Sequence, residues 1–237
     1  MARGEQAARV TAPATRRRGP ASTEDGQRSR DRILQAALDL IIEAGIDQVR
    51  LAEIARRAGM SSGQVMYYFA SKEHILLETL AWQEHQDTLR RQAALARVTG
   101  AWRQLERLIE LYLPASHPDP SWILWLEAWA RAPHNKDVNR FLEELLNPWR
   151  DDLTVIIARG VEEGVFARPA AMDEFTLRFI ALLDGLALQR LQHMRHSSRK
   201  YLTELAMNAA RAELAPGAGI PERPASEGEP QGQRGHS

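Results

Sequence analysis

Apolar positions recur at helical spacing along most of the chain, and no segment of any length alternates with the two-residue period of a strand. Ile33, Ala36, Ala37, Leu40, Ile41 and Ala44 keep to one face, and Gly45 stands where such a helix stops. A shorter stripe follows, Leu51, Ile54, Ala55 and Ala58, closed by Gly59. The pattern predicts an all-α protein.

Ser61 is a good N-cap and Gln64 stands three residues on, which completes a capping box and starts a third short helix despite weak propensities. Val65, Tyr68 and Phe69 share the inward face at 100° per residue, so Gly63, Gln64 and Tyr67 point outward with Met66 on the flank. Two short glycine-terminated helices and a third with polar side chains turned outward are the layout of a helix-turn-helix, whose last helix lies in the DNA major groove. Gln can pair with adenine, Met can touch a thymine methyl, and Ser or Tyr can bind phosphate. Gln64 has a second use, closing the capping box, and Tyr68 is divided between domain core and a hydroxyl at the rim.

From Ser71 the pattern continues through Leu76, Leu77, Leu80 and Trp82, then through helices broken at Gly100, Pro114–Pro120, Pro133 and Arg168–Pro169. Five or six helices are expected after the reading head. Pro148 sits inside a long helical pattern, where a kink or break is expected because its ring removes a backbone donor. Trp122, Trp125, Leu126 and Trp129 form one stripe and Trp149 stands beside the proline. Such a stripe is either core or the wall of a ligand cavity. Aromatic faces attract cations, so a cationic amine suits the cavity reading, with Glu127, Asp184 or both as counter-charges; a neutral apolar effector fits equally well. Glu127 lies off the tryptophan stripe. Phe175, Phe179, Leu182, Leu183, Leu186 and Leu191 make an apolar face broader than a helix at a monomer's edge needs.

Composition narrows the picture. The 237 residues are enough for a sizeable core. Cysteine is absent, which excludes disulfides, cysteine-ligated zinc and thiol catalysis and points to a reducing, cytoplasmic home. No apolar run is long enough to span a bilayer and no signal core follows the first arginines, so no membrane association is expected. Lys plus Arg equals Asp plus Glu at 31 each, so only local patches can speak for a nucleic-acid partner. Segments 1–27 and 216–237 lack apolar periodicity and read as disordered tails, with Arg16, Arg17 and Arg18 either solubilising or forming an arm toward DNA. The expected units between them are a helix-turn-helix over 28–75 and a helical bundle over 76–215. No phosphate loop, nucleophile elbow or zinc helix is present, and His193 and His196, three apart on a predicted helix, lack a third ligand. No cofactor, metal or enzymatic activity is expected.

The stretch from Arg32 to Leu80, with "IARRAGMSSG" and "YFASKE" at its centre, resembles the DNA-binding domain of the TetR/AcrR family of transcriptional regulators. The resemblance implies that Ser62, Gln64, Met66 and Tyr67 lie where bases or nearby phosphates are read, and that Tyr68 and Lys72 grip the backbone; Ser61 and Gly63 join them as DNA-binding candidates from their place at the polar start of the helix. Two positions depart from the family pattern. Met66 replaces a usual tyrosine, and Arg50 replaces the threonine or serine that caps the second helix, leaving a guanidinium in reach of a phosphate. The tryptophan-rich part resembles the C-terminal domain of the choline-responsive, BetI-like subgroup. That implies an effector pocket, with Trp82, Trp122, Trp125, Trp129 and Trp149 as candidate walls, and a homodimer through the last two helices. The expected function is a repressor that binds a palindromic double-stranded operator and is released by a small molecule. A constitutive or architectural DNA-binding protein without effector is the alternative.

Overall fold

The computed structural model describes residues 24–216; the tail readings for 1–23 and 217–237, including Arg16–Arg18, lie outside the described residues. Those described form α-helices and one 3-10 turn and no strand: α1 Glu24–Ala44, α2 Leu51–Ala58, α3 Ser62–Tyr68, α4 Lys72–Leu95, α5 Ala101–Tyr112, α6 Pro120–Trp129, α7 Lys136–Glu162, α8 Met172–Leu191 and α9 Arg199–Leu214. The first helix begins ahead of the boundary expected at residue 28. Glu24 and Asp25 in its first turn complement the helix dipole, a signal that apolar periodicity does not carry.

Local chemistry sets the boundaries. Gly45 ends α1 at φ 75 and Gly59 ends α2 at φ 67, where a side chain would be strained. Ser61 Oγ accepts from Gln64 N at 3.2 Å and Gln64 Oε1 accepts from Ser61 N at 2.8 Å, which is the full capping box. Ser71, Asp119, Asn135 and Ser198 cap α4, α6, α7 and α9 through their side chains. At α2 only half a box exists: Glu53 accepts from Arg50 N at 3.1 Å, and Arg50 has no acceptor to return. Helix α7 runs unbroken through Pro148.

Two apolar cores hold the chain. The first joins α1–α3 and the start of α4 to Leu124, Trp125 and Ala128 of α6 and to Phe141, Leu142 and Leu145 of α7. The second packs α5 and the rest of α7 against α8 and α9. Trp129 and Leu146 touch both. The head is therefore packed directly onto α6 rather than joined to the bundle by α4 alone.

Candidate nucleic-acid interface and buried cavity

Helix α3 is anchored by Val65 at 0% exposure and by Phe69, its C-cap, at 2%. Burying each contributes about 1.5–3 kcal/mol, which fixes a helix too short to stand alone. Ser61, Ser62, Gly63 and Gln64 are exposed, as are Met66 at 58% and Tyr67 at 47%. Tyr68 is half-buried and meets Tyr67 edge-on at 5.4 Å. A polar, aromatic-bearing ridge is thus presented to solvent, beside a cleft to which α1 contributes Ser29, a residue that carried no signal in the sequence.

The capping geometry decides what Gln64 offers. Its Oε1 is taken by the Ser61 N–H and hydroxyl, which leaves the amide N–H groups as donors toward a ligand and does not present the two-pronged face that adenine needs. Lys72 Nζ donates to the Asp47 carbonyl at 2.9 Å, pinning the start of α4 to the turn between α1 and α2 and using one of its three donors. Arg50 is exposed at the N-cap of α2, with its side chain free of any cap bond.

Behind the head lies a cavity of about 340 Å³ walled by Trp122, Trp125, Trp129, Trp149, Tyr112, Glu84 and Arg91, among others. The indoles are fixed by their own N–H groups. Trp122 donates to the Tyr112 carbonyl at 3.0 Å. Trp125 donates to Glu84 Oε1 at 2.7 Å and Trp149 to Oε2 of the same carboxylate at 3.2 Å. Glu84 is 5% exposed and joins no ion pair. Burial pushes its carboxyl up to about 7, with Asp87 adding to the rise and the indole donors and Arg91 opposing it.

Three residues expected at the cavity stand elsewhere. Trp82 packs against the first core. Asp184 accepts the Tyr112 hydroxyl at 2.5 Å, so Tyr112 is interposed between it and the cavity, and burial raises its pKa. Glu127 turns toward the head: Oε1 accepts from Ile46 N at 3.2 Å and Oε2 from Arg131 at 3.0 Å. Glu84 and Arg91 were missed because a polar pair in "WQEHQDTLRRQ" reads as a solvated helix face; their seven-residue spacing on α4 was the available signal. Other expectations also shift. His193 and His196 lie past the end of α8 at positive φ, and His193 stacks on His117 at 3.6 Å. Among the described residues no group of three or more His, Asp or Glu is arranged to hold a metal. Phe175, Phe179, Leu183 and Leu186 are buried within the chain's own second core, while Leu177, Tyr201 and Leu205 are the large side chains exposed on α8 and α9.

Comparison with known proteins decides the family. Residues 33–79 match the family model for bacterial regulatory proteins of the tetR family, and residues 101–215 match that for the C-terminal part of BetI-type transcriptional repressors. The HTH-type transcriptional regulator BetI of Agrobacterium fabrum is 30% identical over 173 residues, covering 72% of this chain and 77% of the relative. This chain belongs to the TetR family. A transcriptional regulator from Saccharomonospora viridis, solved in complex with choline, is 30% identical with a TM-score of 0.72, covering 80% of this chain and 99% of that one. A TetR regulator from Haloarcula marismortui shares the fold at 20% identity and a TM-score of 0.70, covering 79% of this chain and 99% of its own. The chain is thus a TetR-family transcriptional regulator with a BetI-type C-terminal domain, all-α in architecture, with the helix-turn-helix in α1–α3. No helix among the described residues is long and apolar enough to cross a membrane.

Proposed function

We propose that this TetR-family regulator is a repressor that binds a two-fold-symmetric operator as a dimer and leaves it when a small cationic amine enters the cavity. The observation that carries the reading is Glu84. A carboxylate buried among indoles without an ion pair is unstable as an anion, and a cation in the cavity supplies the missing charge. The faces of Trp122, Trp125 and Trp129 add cation–π attraction, strongest when both partners are desolvated. Choline, the ligand of the Saccharomonospora relative, has this chemistry.

On the DNA side, Ser62, Gly63, Gln64, Met66 and Tyr67 form the ridge that enters the major groove, with Arg50 beside it for phosphate. Outward Leu177, Tyr201 and Leu205 support pairing through α8 and α9, which sets two heads about one DNA turn or more apart.

A ligand moves the heads only by binding one arrangement better than the other. Helix α6 supplies Trp122 and Trp125 to the cavity and Glu127 to the backbone of the head, so a shift of α6 around the ligand is transmitted to the turn between α1 and α2.

Selection of binding sites from random duplexes by the purified protein, followed by choline titration of the selected complex, tests the reading. A palindromic consensus that survives higher salt and is released by choline is expected. Binding without a consensus that vanishes with salt would remove specific regulation, and specific binding indifferent to every cationic amine would leave a constitutive DNA-binding protein.

A further inference from the structure

The cavity is not purely a cation site. Its lining carries three acids, Glu84, Asp87 and Asp119, and three bases, Arg90, Arg91 and Arg199. Four of these are already answered. Asp87 takes Arg90 at 3.0 Å and the Ser121 hydroxyl at 2.5 Å, Asp119 caps Trp122 N and Ala115 N, and Arg199 Nε donates to the Glu110 carbonyl at 3.0 Å. What remains unanswered is the charge of Glu84 and one edge of Arg91.

Arg91 is 1% exposed. Its Nε donates to Asp152 at 2.5 Å, its Nη2 reaches Thr88 Oγ1 at 3.4 Å, and its guanidinium lies 3.8 Å from the ring centre of Trp149. Its Nη1 is buried with no hydrogen-bond partner in the protein. Buried donors of this kind are costly unless an acceptor is supplied, and a charged donor more so. Trp149 brackets both unanswered groups, giving its N–H to Glu84 and its face to Arg91. Glu84 and the unpartnered donor of Arg91 therefore stand on two sides of one indole, and all three residues line the same cavity.

We propose that the cavity takes a small zwitterion, a quaternary ammonium carboxylate, whose ammonium lies against the indoles and Glu84 and whose carboxylate accepts from Arg91 Nη1. This rests on the cationic-effector reading above and adds the anionic end. A simple cation answers Glu84 and leaves Nη1 orphaned. A zwitterion answers both and adds no net charge to the cavity, where acids and bases are equal in number.

Calorimetric titration of the full-length protein at pH 7.5 separates the cases, with four probes sharing one headgroup: trimethylammonioacetate, trimethylammoniobutyrate, the methyl ester of the former, and choline. The better of the two zwitterions is expected to bind about tenfold or more tighter than the ester and choline, because only the zwitterion offers Nη1 a charged acceptor. Arg91→Met is expected to abolish the advantage of that zwitterion over choline when both are measured on the same variant. Arg91→Lys, checked with it by circular dichroism, keeps the charge and is expected to fall between. The comparison among probes on the unaltered protein stands even if both variants fail to fold. Choline and the ester binding as well as the zwitterions would overturn the zwitterion and leave the cationic effector standing. No binding by any of the four would remove both.

Discussion

Glu127 on the tryptophan helix accepts a hydrogen bond at 3.2 Å from the backbone nitrogen of Ile46, 81 residues earlier, in the turn that joins the first two helices of the head. Its other oxygen holds Arg131, whose Nη2 reaches Asp47 at 2.7 Å, and Lys72 donates to the carbonyl of the same Asp47. Gly45 makes the approach possible. It sits at φ +75, and a Cβ there would come within 3.0 Å of Glu127 Oε1. The network ties α6, the α1–α2 turn and the first residue of α4 together at one point.

Glu127→Ala removes that tie without touching the cavity. Ligand affinity is expected to stay within about twofold, since Glu127 does not line the cavity, while the factor by which ligand weakens operator binding drops about fivefold or more, within the range of coupling free energies. Loss of the Ile46 hydrogen bond and of the Arg131 ion pair also costs about 1–2 kcal/mol of stability. Gel-shift titrations with and without saturating choline measure the coupling; an unchanged ratio would take Glu127 out of the relay.

Tyr67 is 47% exposed on a ridge whose buried side is supplied by Val65 and Phe69, so its ring contributes little to the core. Tyr67→Ala is expected to weaken operator binding by about 1–3 kcal/mol and to leave the thermal midpoint nearly unchanged. Fluorescence anisotropy on the selected operator, beside a thermal melt, checks both. Full affinity would exclude Tyr67 from the interface, and a large fall in the midpoint would make it a structural residue.

How much of this the residues announced depends on the range of the interaction. The helix-turn-helix was legible because its determinants are local: Gly45 and Gly59 stop helices, Ser61 and Gln64 cap one another, and Val65, Tyr68 and Phe69 repeat with the helix. The tryptophan stripe was legible for the same reason. Glu84 was not, because a polar residue within a long helix looks solvated until two indoles from α6 and α7 are seen to close over it. Glu127 shows the intermediate case. Its position off the stripe was visible, but only the fold brings Ile46 to meet it. The apolar face of α8 was visible too, yet periodicity cannot tell a chain's own core from a surface kept for a second copy, and Phe175 and Phe179 prove to serve the former.

Gly160 in α7 is a packing contact that periodicity could not foretell. Its carbonyl accepts from Val165 N and Phe166 N at 2.9 Å each, and a Cβ there would run into the Phe166 ring, which is itself held edge-on against Trp102 at 4.5 Å. An aromatic ring in a packed core cannot swing aside as the end of a long chain can. Gly160→Ala is therefore expected to destabilise the protein by about 1–3 kcal/mol, although alanine is the better helix former. Chemical denaturation decides the sign; a stabilised variant would mean that helix propensity outweighs the clash.

The pH dependence of ligand binding follows from Glu84. Burial raises its folded-state pKa to about 7 from an ordinary 4.5, so the folded protein binds more protons than the unfolded chain between those values. The stability Glu84 contributes is full below about 4.5 and is lost as pH rises through about 7, because only the neutral acid is content in the cavity. A cationic ligand inverts the preference. It favours the carboxylate, lowers the pKa in the complex and expels a proton on binding. Affinity for choline is therefore expected to rise with pH up to about 7 and then level off, with proton release seen calorimetrically as a dependence on buffer ionisation enthalpy. Glu84→Gln should abolish the proton release, weaken choline about tenfold or more and flatten the fall in stability between pH 5 and 7. Its amide offers one acceptor where two indole N–H groups now converge, so Trp125 or Trp149 loses its partner and some stability is lost at every pH. The slope of stability against pH, rather than its absolute value, identifies the titrating group. A slope that survives the substitution would place the proton on another residue, and choline affinity indifferent to pH would place the cation away from Glu84.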